Sequence, residues 1–190
     1  RTVTGVQTCA LPISISLLYA PLTVKSNGSS TKQIDFAGER FLSNTALNAS
    51  YKFNSYRITY RYDIINKSKL EFGLGFTAKI RDAEIALNSN TLAASKTNVG
   101  FVPIINFRFN WKTNNKISVL FEGDALAAPQ GRAEDVLLAG LYKLSDKLLL
   151  RFGYRILEGG ADNDEVYNFA MFNYASVGLS YIFNNKLKSN

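Results

Sequence analysis

The sequence has no histidine, and it has only one cysteine, one methionine and one tryptophan in 190 residues. Nucleophilic catalysis by serine needs an adjacent base, which is most often an imidazole, so the common histidine-based hydrolase sites are excluded. A single cysteine cannot form an intramolecular disulfide, and no His/Cys spacing suits a zinc site. The chain also lacks any run of about 18 apolar residues, which a transmembrane helix requires.

The charge is basic but dispersed. The chain carries 22 Lys and Arg residues against 15 Asp and Glu residues, which gives a formal charge of +7. Such a balance suits nucleic acid, anionic lipid or lipopolysaccharide phosphate as a partner. The basic residues are spread along the chain, whereas a nucleic-acid interface would concentrate them on one face. We therefore expect no nucleic-acid partner.

The first residues differ in kind from the rest. The segment from Val3 to Ile13 resembles the translation of a common short-read sequencing adapter. We predict that residues 1–13 are foreign to the native protein, and we exclude them from the fold prediction. Cys9 lies in this segment, so the remainder says nothing about disulfides. We expect that truncation upstream of Ser14 also removed a signal peptide.

Apolar and polar residues alternate along most of the remaining chain, which is typical of strands with one apolar face. The alternation is clearest from Ser55 to Ile64. The predicted strands cover residues 14–25, 45–64, 69–87, 97–112, 116–127, 135–144, 148–158 and 167–183. The sixth of these is apolar on both faces, so its inner face is not assigned.

The connections between these strands alternate between short turns and longer loops. The predicted longer loops cover residues 26–44, 88–96, 128–134 and 159–166. Because no helical pattern intervenes, neighbouring strands should pair antiparallel. Pro21 and Pro103 lie within predicted strands and lack a ladder donor, so we expect each near a strand end or a bulge.

The last predicted strand ends in alternating apolar residues, Val177, Leu179, Tyr181 and Phe183. This ending resembles the C-terminal assembly signal of bacterial outer-membrane β-barrels, whose short periplasmic turns and longer outer loops also alternate. Residues 14–183 resemble the small eight-stranded barrels, the class of OmpA, OmpX and OmpW. The resemblance implies an all-β, eight-stranded antiparallel up-and-down transmembrane barrel in a Gram-negative outer membrane. One departure is a short polar tail, residues 184–190, after the terminal aromatic residue.

The apolar face of such a barrel contacts lipid, and the opposite face fills a narrow interior. We predict this orientation because the polar face combines glycines with charges of both signs, and buried charges persist when they are paired. Aromatic residues near strand ends also suit the interfacial girdles of membrane barrels. The predicted interior charge network consists of Arg57, Arg61, Asp63, Glu71, Lys79, Arg108, Glu122, Asp124, Arg151 and Arg155.

The resulting functional prediction is a structural or surface-interaction role without catalysis, cofactor or metal. The mechanisms of the lipid A enzymes among small barrels need a histidine and cannot be carried over. A Ser–Lys pair at Lys79 or Lys143 is the weakest alternative. The acidic loop 158–165 is interpreted as a solvated tip rather than a calcium site. Expected partners of the monomer are outer-membrane lipid, the barrel-assembly machinery and lipopolysaccharide. Lys25, Lys32 and Arg40 are candidate donors to lipopolysaccharide phosphates, with ordinary solvation as the favoured alternative.

Two alternatives place the function elsewhere. In an OmpW-like conduit or binding site for small hydrophobic molecules, inward-pointing Leu157, Phe172 and Tyr174 would line a pocket. The second alternative is a soluble lipocalin-like carrier, in which the apolar face points into the barrel and the polar face points to water. That alternative requires Phe72, Phe107 and Phe152 inside the barrel and Arg57 and Arg108 outside.

Overall fold

The computed structural model describes residues 4–10, 12–128, 131–163 and 166–183. Over these residues the secondary structure is β-strand with short turns, and neighbouring strands pair antiparallel. The all-β, antiparallel prediction is confirmed. Within the same ranges, no helix is long and apolar enough to cross a membrane.

The strands are numbered in chain order. They are β1 (Thr4–Ala10), β2 (Ile13–Ala20), β3 (Thr23–Ser29), β4 (Ile34–Phe36), β5 (Glu39–Phe41), β6 (Ala46–Asn66), β7 (Leu70–Asn88), β8 (Ala93–Lys112), β9 (Ile117–Ala128), β10 (Gly131–Ser145), β11 (Leu148–Asn163) and β12 (Val166–Tyr181). The main sheet has the order β1-β2-β6-β7-β8-β9-β10-β11-β12, with β3 also paired to β6. The last seven predicted strands therefore correspond to β6–β12.

The first predicted strand is interrupted at Pro21. It appears as β2 and β3, and both pair with β6. The register is the same on either side of the break, because the amide of Asp63 donates to the carbonyl of Pro12 before β2 and the amide of Phe53, ten residues earlier, donates to the carbonyl of Leu22, ten residues later. Proline supplies no ladder donor, which explains the interruption. Pro21 thus lies at a strand end, as expected.

Pro103 lies inside β8 rather than at its end. The β8–β9 register begins at Ile105, so Pro103 lies just beyond the stretch that pairs with β9. A missing amide hydrogen is tolerated where a strand extends beyond its neighbour, because no ladder hydrogen bond is lost on that side. Pro103 was expected near a strand end or at a bulge, and it lies within β8, next to the point where the pairing with β9 begins.

The segment predicted to be foreign also forms a strand, β1, which lies at the edge of the sheet beside β2. Its foreign origin stays a prediction. The polar tail 184–190 lies outside the described residues.

By internal contacts the chain forms two compact units. The first comprises Arg1–Thr8, Ser16–Ile58 and Ala78–Val102. The second comprises Cys9–Ile15, Thr59–Thr77 and Pro103–Asn190.

The loop predicted at residues 26–44 is partly folded within the first unit. It contains the end of β3 and the hairpin β4–β5, which turns through Ala37 and Gly38, both with positive φ. Behind the hairpin lies a small core of Phe41, Leu47 and Ala94, against which Ile34, Phe36, Leu87 and Leu92 pack. This segment, which we name the loop cap, has its own apolar core because the hairpin contributes Phe41, whose side chain is 1% exposed.

We expect Phe41→Ala to lower the free energy of unfolding of the loop cap by about 3–5 kcal/mol, because it leaves a cavity in this core. Leu42→Ala is the matched control, since Leu42 is 65% exposed. The measurement is protease cleavage within residues 30–45 against denaturant concentration. Equal cleavage of the two variants would contradict the assignment of Phe41 as the core residue.

Candidate functional site

Exposure alternates with each residue along β6 from Ser55 onward. Tyr56, Ile58 and Tyr60 are about half exposed, at 45%, 50% and 48%. The intervening Arg57 and Arg61 are 5% and 6% exposed. Successive side chains of a strand point to opposite faces, so β6 buries its polar face and exposes its apolar face. This is the reverse of the usual arrangement in a soluble sheet.

The same distribution continues on the other long strands. On the exposed face lie Tyr62, Ile64, Leu74, Phe76, Ile80, Phe101, Ile105, Phe109, Trp111, Ile117, Phe121, Tyr154, Ile156, Met171, Val177, Leu179 and Tyr181. The opposite face carries the buried polar residues Ser55, Thr59, Thr77, Lys79, Asn106, Asn110 and Asp124. We call these the apolar face and the polar face.

The structure assigns the inner face of the sixth predicted strand, β10. Asp135, Leu137 and Ala139 are buried, whereas Leu138 and Tyr142 are exposed. The alternation alone does not distinguish the two faces of β10, because both sets of alternating residues are largely apolar. The polar face therefore includes apolar side chains on β10, and Leu120 of β9 lies opposite Ala139.

Glu122 is the meeting point of two arginines in the second unit. Arg108 lies directly opposite it across the β8–β9 ladder and donates from Nη1 to Oε2 at 2.7 Å. Arg151 of β11 approaches the other oxygen, Oε1, at 3.3 Å. Arg61 forms a longer ion pair with Asp63, 3.5 Å between Nε and Oδ1. One carboxylate thus links three strands through ionic hydrogen bonds.

Asp124 accepts hydrogen bonds from two uncharged side chains. Its Oδ1 accepts from the hydroxyl of Thr77 at 2.6 Å and from the amide of Asn106 at 2.8 Å. The hydroxyl of Thr59 lies 2.7 Å from that of Thr77. Because the proton of Thr77 is directed to Asp124, Thr59 must be the donor to Thr77. The result is a buried chain of hydrogen bonds from β6 through β7 to β9.

Asp135 and Arg155 form the most complete ion pair on the polar face. Nε of Arg155 donates to Oδ1 at 2.5 Å, and Nη2 donates to Oδ2 at 2.8 Å. Asp135 is 5% exposed. The sequence-based network contained Arg155 but missed Asp135, because the inner face of β10 was unassigned. The short turn at 145–147 offered a signal, since it sets Asp135 opposite Leu157, two residues from Arg155.

The other predicted network residues have separate partners. Glu71 accepts from the amide of Asn110 at 2.8 Å and pairs with Lys112. In the first unit, Nε of Arg57 donates to the hydroxyl of Ser55 at 2.9 Å. Nζ of Lys79 lies 5.2 Å from the ring centre of Phe53, within cation–π range.

Inner-face glycines allow this packing between strands. A Cβ atom on Gly75 would meet the carbonyl oxygen of Tyr60, and one on Gly153 would meet that of Leu138. Any side chain at these positions would force the neighbouring strands to shift.

The residues of the predicted assembly signal all lie on the apolar face. Val177, Leu179 and Tyr181 are exposed, and Phe183 is 88% exposed just after the end of β12. The rings of Tyr181 and Phe183 pack edge to face, with centroids 4.9 Å apart. Among the described residues, Tyr181 and Phe183 thus form an exposed aromatic pair.

The residues predicted to contact lipopolysaccharide differ in availability. Arg40 already donates from Nε to Asp35 at 2.8 Å, and this hydrogen bond lowers the pKa of the Asp35 carboxyl. Lys25 and Lys32 are exposed.

The acidic segment 158–165 was predicted to be a loop, but β11 extends to Asn163, so Glu158 lies within a strand, where it pairs with Arg132. Residues 164–165 lie outside the described ranges. Among the described residues, no group of three or more His, Cys, Asp or Glu side chains could hold a metal ion.

We expect Asp135→Ala to lower the free energy of unfolding by about 3–5 kcal/mol, because Arg155 would keep a buried charge without its carboxylate. The exposed pair of Lys143 and Asp146 provides the control, and Asp146→Ala should cost less than about 1 kcal/mol. The double variant Asp135→Leu/Arg155→Leu should recover most of the loss. Equilibrium unfolding in urea measures all three, and equal losses at Asp135 and Asp146 would contradict this account.

Comparison of the chain with protein-family models, with curated proteins and with solved structures gave no match.

Proposed function

We propose that the chain is an integral β-barrel of a bacterial outer membrane, closed by eight antiparallel strands. Its apolar face contacts lipid, its polar face forms an ion-paired interior, and its role is structural or surface-binding without catalysis. The single observation that carries the proposal is the exposure of tyrosine and isoleucine on β6 beside buried arginine.

A lipid environment accounts for the apolar face. Contiguous exposed apolar surface beyond a few hundred Å² is rare on soluble monomers and marks protein or membrane contacts. Here such residues recur on every long strand from β6 to β12. In hydrocarbon they incur no hydration cost, and strands cross a bilayer only when their backbone groups are paired with neighbours. Closure of the sheet would pair the backbone N–H and C=O groups of its two edge strands.

A narrow interior accounts for the polar face. Charges removed from water are tolerated when each has a partner of opposite sign. Arg108 and Arg151 share Glu122, and Arg155 pairs with Asp135. Side chains tied together in this way fill space between strands, which favours a structural role over passage of solutes.

The alternatives are less well supported. A lipocalin-like carrier needs Phe152 inside and Arg57 outside, but Phe152 is 52% exposed and Arg57 is buried. For an OmpW-like site, Leu157 is buried opposite Phe172, whose ring stacks on Tyr174 at 6.4 Å. These three residues form a minor part of a face that is otherwise occupied mainly by ion-paired and hydrogen-bonded side chains.

The proposal also names partners. The exposed side chains of Val177, Leu179, Tyr181 and Phe183 would be read by the barrel-assembly machinery. Lys25 and Lys32 remain as donors to lipopolysaccharide phosphates, since Arg40 is engaged by Asp35.

The first test is heat modifiability. Residues 14–190 behind a bacterial signal peptide should appear in the outer-membrane fraction, and the band should shift on a denaturing gel after boiling. Closed membrane barrels resist detergent until they are heated, whereas open or soluble sheets unfold at once. A soluble periplasmic product without a shift would overturn the proposal in favour of the soluble carrier.

A second test uses a single charge on the apolar face. Ile58→Arg should destabilise the lipid-embedded protein by about 2–4 kcal/mol, because arginine near the bilayer midplane is costly. Leu42→Arg is the control, since Leu42 is exposed in the loop cap rather than on a long strand. Unfolding in urea from lipid vesicles measures both. Were the protein soluble, the two substitutions would have the same small effect.

A further inference from the structure

The two faces of the sheet exchange their chemistry partway along β6. From Tyr56 onward the apolar face carries tyrosine and isoleucine at alternate positions. The four alternate positions before Tyr56 hold Asn48, Ser50, Lys52 and Asn54. The other face changes in the opposite sense. It is polar from Ser55 to Asp63, and the four alternate positions before Ser55 hold Leu47, Ala49, Tyr51 and Phe53.

Contacts in the first unit show that the alternation of β6 is unbroken at this point. Phe53 lies on the same face as buried Lys79, whose Nζ atom is 5.2 Å from the centre of the Phe53 ring. The ring of Tyr51 stacks on that of Phe53 at 6.3 Å, and Leu47 is buried in the core of the loop cap. The apolar side chains of this part of β6 therefore point to the face that is polar further along the strand.

On the opposite face, a polar row lies beside an aromatic pair. Nζ of Lys52 pairs with Oδ2 of Asp82 at 2.9 Å, and the amide of Asn54 donates to the same oxygen at 3.4 Å. Two residues after Asn54, the ring of Tyr56 stacks on that of Tyr19 at 5.0 Å. The change from ion pair to aromatic ring thus takes place within one step of the strand alternation.

The strands that follow β6 show the same change. On β7, exposed Ile80 is followed at the next alternate positions by Asp82 and Glu84. On β8, exposed Thr97 is followed by Val99, which is 71% exposed. A sheet in water places polar side chains outward and apolar side chains inward, and the ends of these three strands have that pattern. We name these ends the loop-side extension, which comprises residues 46–54, 82–88 and 93–98.

In the second unit the apolar face also ends at a charged pair. Ile156 is exposed on β11, and Glu158 takes the next position on the same face. Glu158 pairs with Arg132, whose Cζ atom lies 5.5 Å from the ring centre of Phe169, within cation–π range. The apolar stretch from Leu148 to Ile156 has nine residues, a length that agrees with the roughly 9–11 residues of a tilted transmembrane strand.

The lengths of β6 and β7 require part of each strand to lie outside hydrocarbon. β6 has 21 residues and β7 has 19, about twice the number that crosses a bilayer. Charged side chains are costly in hydrocarbon and are tolerated near the interface, where tyrosine is also favoured. Lys52 and Asp82 therefore suit the headgroup layer, and the stacked Tyr19 and Tyr56 suit the edge of the hydrocarbon.

We propose that the lipid contact of this chain ends at two charged pairs, Lys52–Asp82 in the first unit and Arg132–Glu158 in the second, and that lipid headgroups are the partner of both pairs. The loop-side extension then stands outside the membrane and carries the loop cap, whose core includes Leu47, Leu87 and Ala94 from these strand ends. This inference rests on the proposed function and adds the depth at which the protein sits.

The test measures the depth of single probes. The full chain with Cys9→Ser receives one cysteine by Ser50→Cys in the extension or by Ile58→Cys on the apolar face of the same strand. Each cysteine is labelled with bimane, and the protein is refolded into phosphatidylcholine vesicles that contain a lipid nitroxide on the acyl chain or on the headgroup. Tyr154→Cys is the control in the second unit, and Asn48→Cys repeats the test further along the extension. The heat-modifiable band shows which molecules are folded.

We expect the probes at Ile58 and Tyr154 to lose most of their fluorescence to the acyl-chain nitroxide. The probes at Ser50 and Asn48 should keep nearly all of theirs, because Ser50 lies six residues, about 20 Å along the strand, beyond Tyr56. Equal quenching at Ser50, Asn48 and Ile58 in heat-modifiable protein would overturn the inference while leaving the membrane barrel intact. Absence of both quenching at Ile58 and a heat-modifiable band would overturn the proposed function, and the inference with it.

Discussion

The two-residue period of the β-strand is the constraint on which the rest of this molecule depends. It places Arg57 and Ile58 on opposite faces although they are neighbours in sequence. When charged side chains lie on a buried face, the neighbouring strand must carry a partner of opposite charge in register with each of them, or a charge is left buried alone. The register between strands is therefore fixed by ion pairing on the polar face and by the environment that the apolar face contacts. A slip of one residue would exchange the two faces completely.

Much of this arrangement could be predicted from the sequence. The period identified the strands that became β6–β12, and the location of charge identified the polar face. Those signals are local, since they need only the order of residues along one strand. The pairing of Arg155 with Asp135 is different, because it depends on the register across β10 and β11. β10 carries apolar residues on both faces, so its pattern could not supply that register.

The loop cap and β1 show a second limit of the sequence. Residues 26–44 look polar, with Asn27, Gly28 and serines, and a loop was the natural prediction. The hairpin there is stabilised by Phe41, whose burial depends on Leu47 of β6 and on Ala94, which is 53 residues further along the chain. β1 was excluded from the fold prediction, yet it forms a strand at the edge of the sheet. A strand edge accepts almost any extended segment, because the ladder uses backbone groups and not side chains.

The loop cap has a consequence for how this protein could change over evolutionary time. Its hairpin is anchored from behind by a few apolar side chains, while Glu39, Arg40 and Leu42 on the other side remain exposed. Substitutions at those exposed positions disturb neither the anchoring core nor the register of the long strands. The apolar core behind the hairpin therefore sets its backbone geometry, whereas the exposed side chains of the hairpin are free to vary. Such a division lets the exposed side chains of the hairpin change while the ion-paired strands stay unaltered.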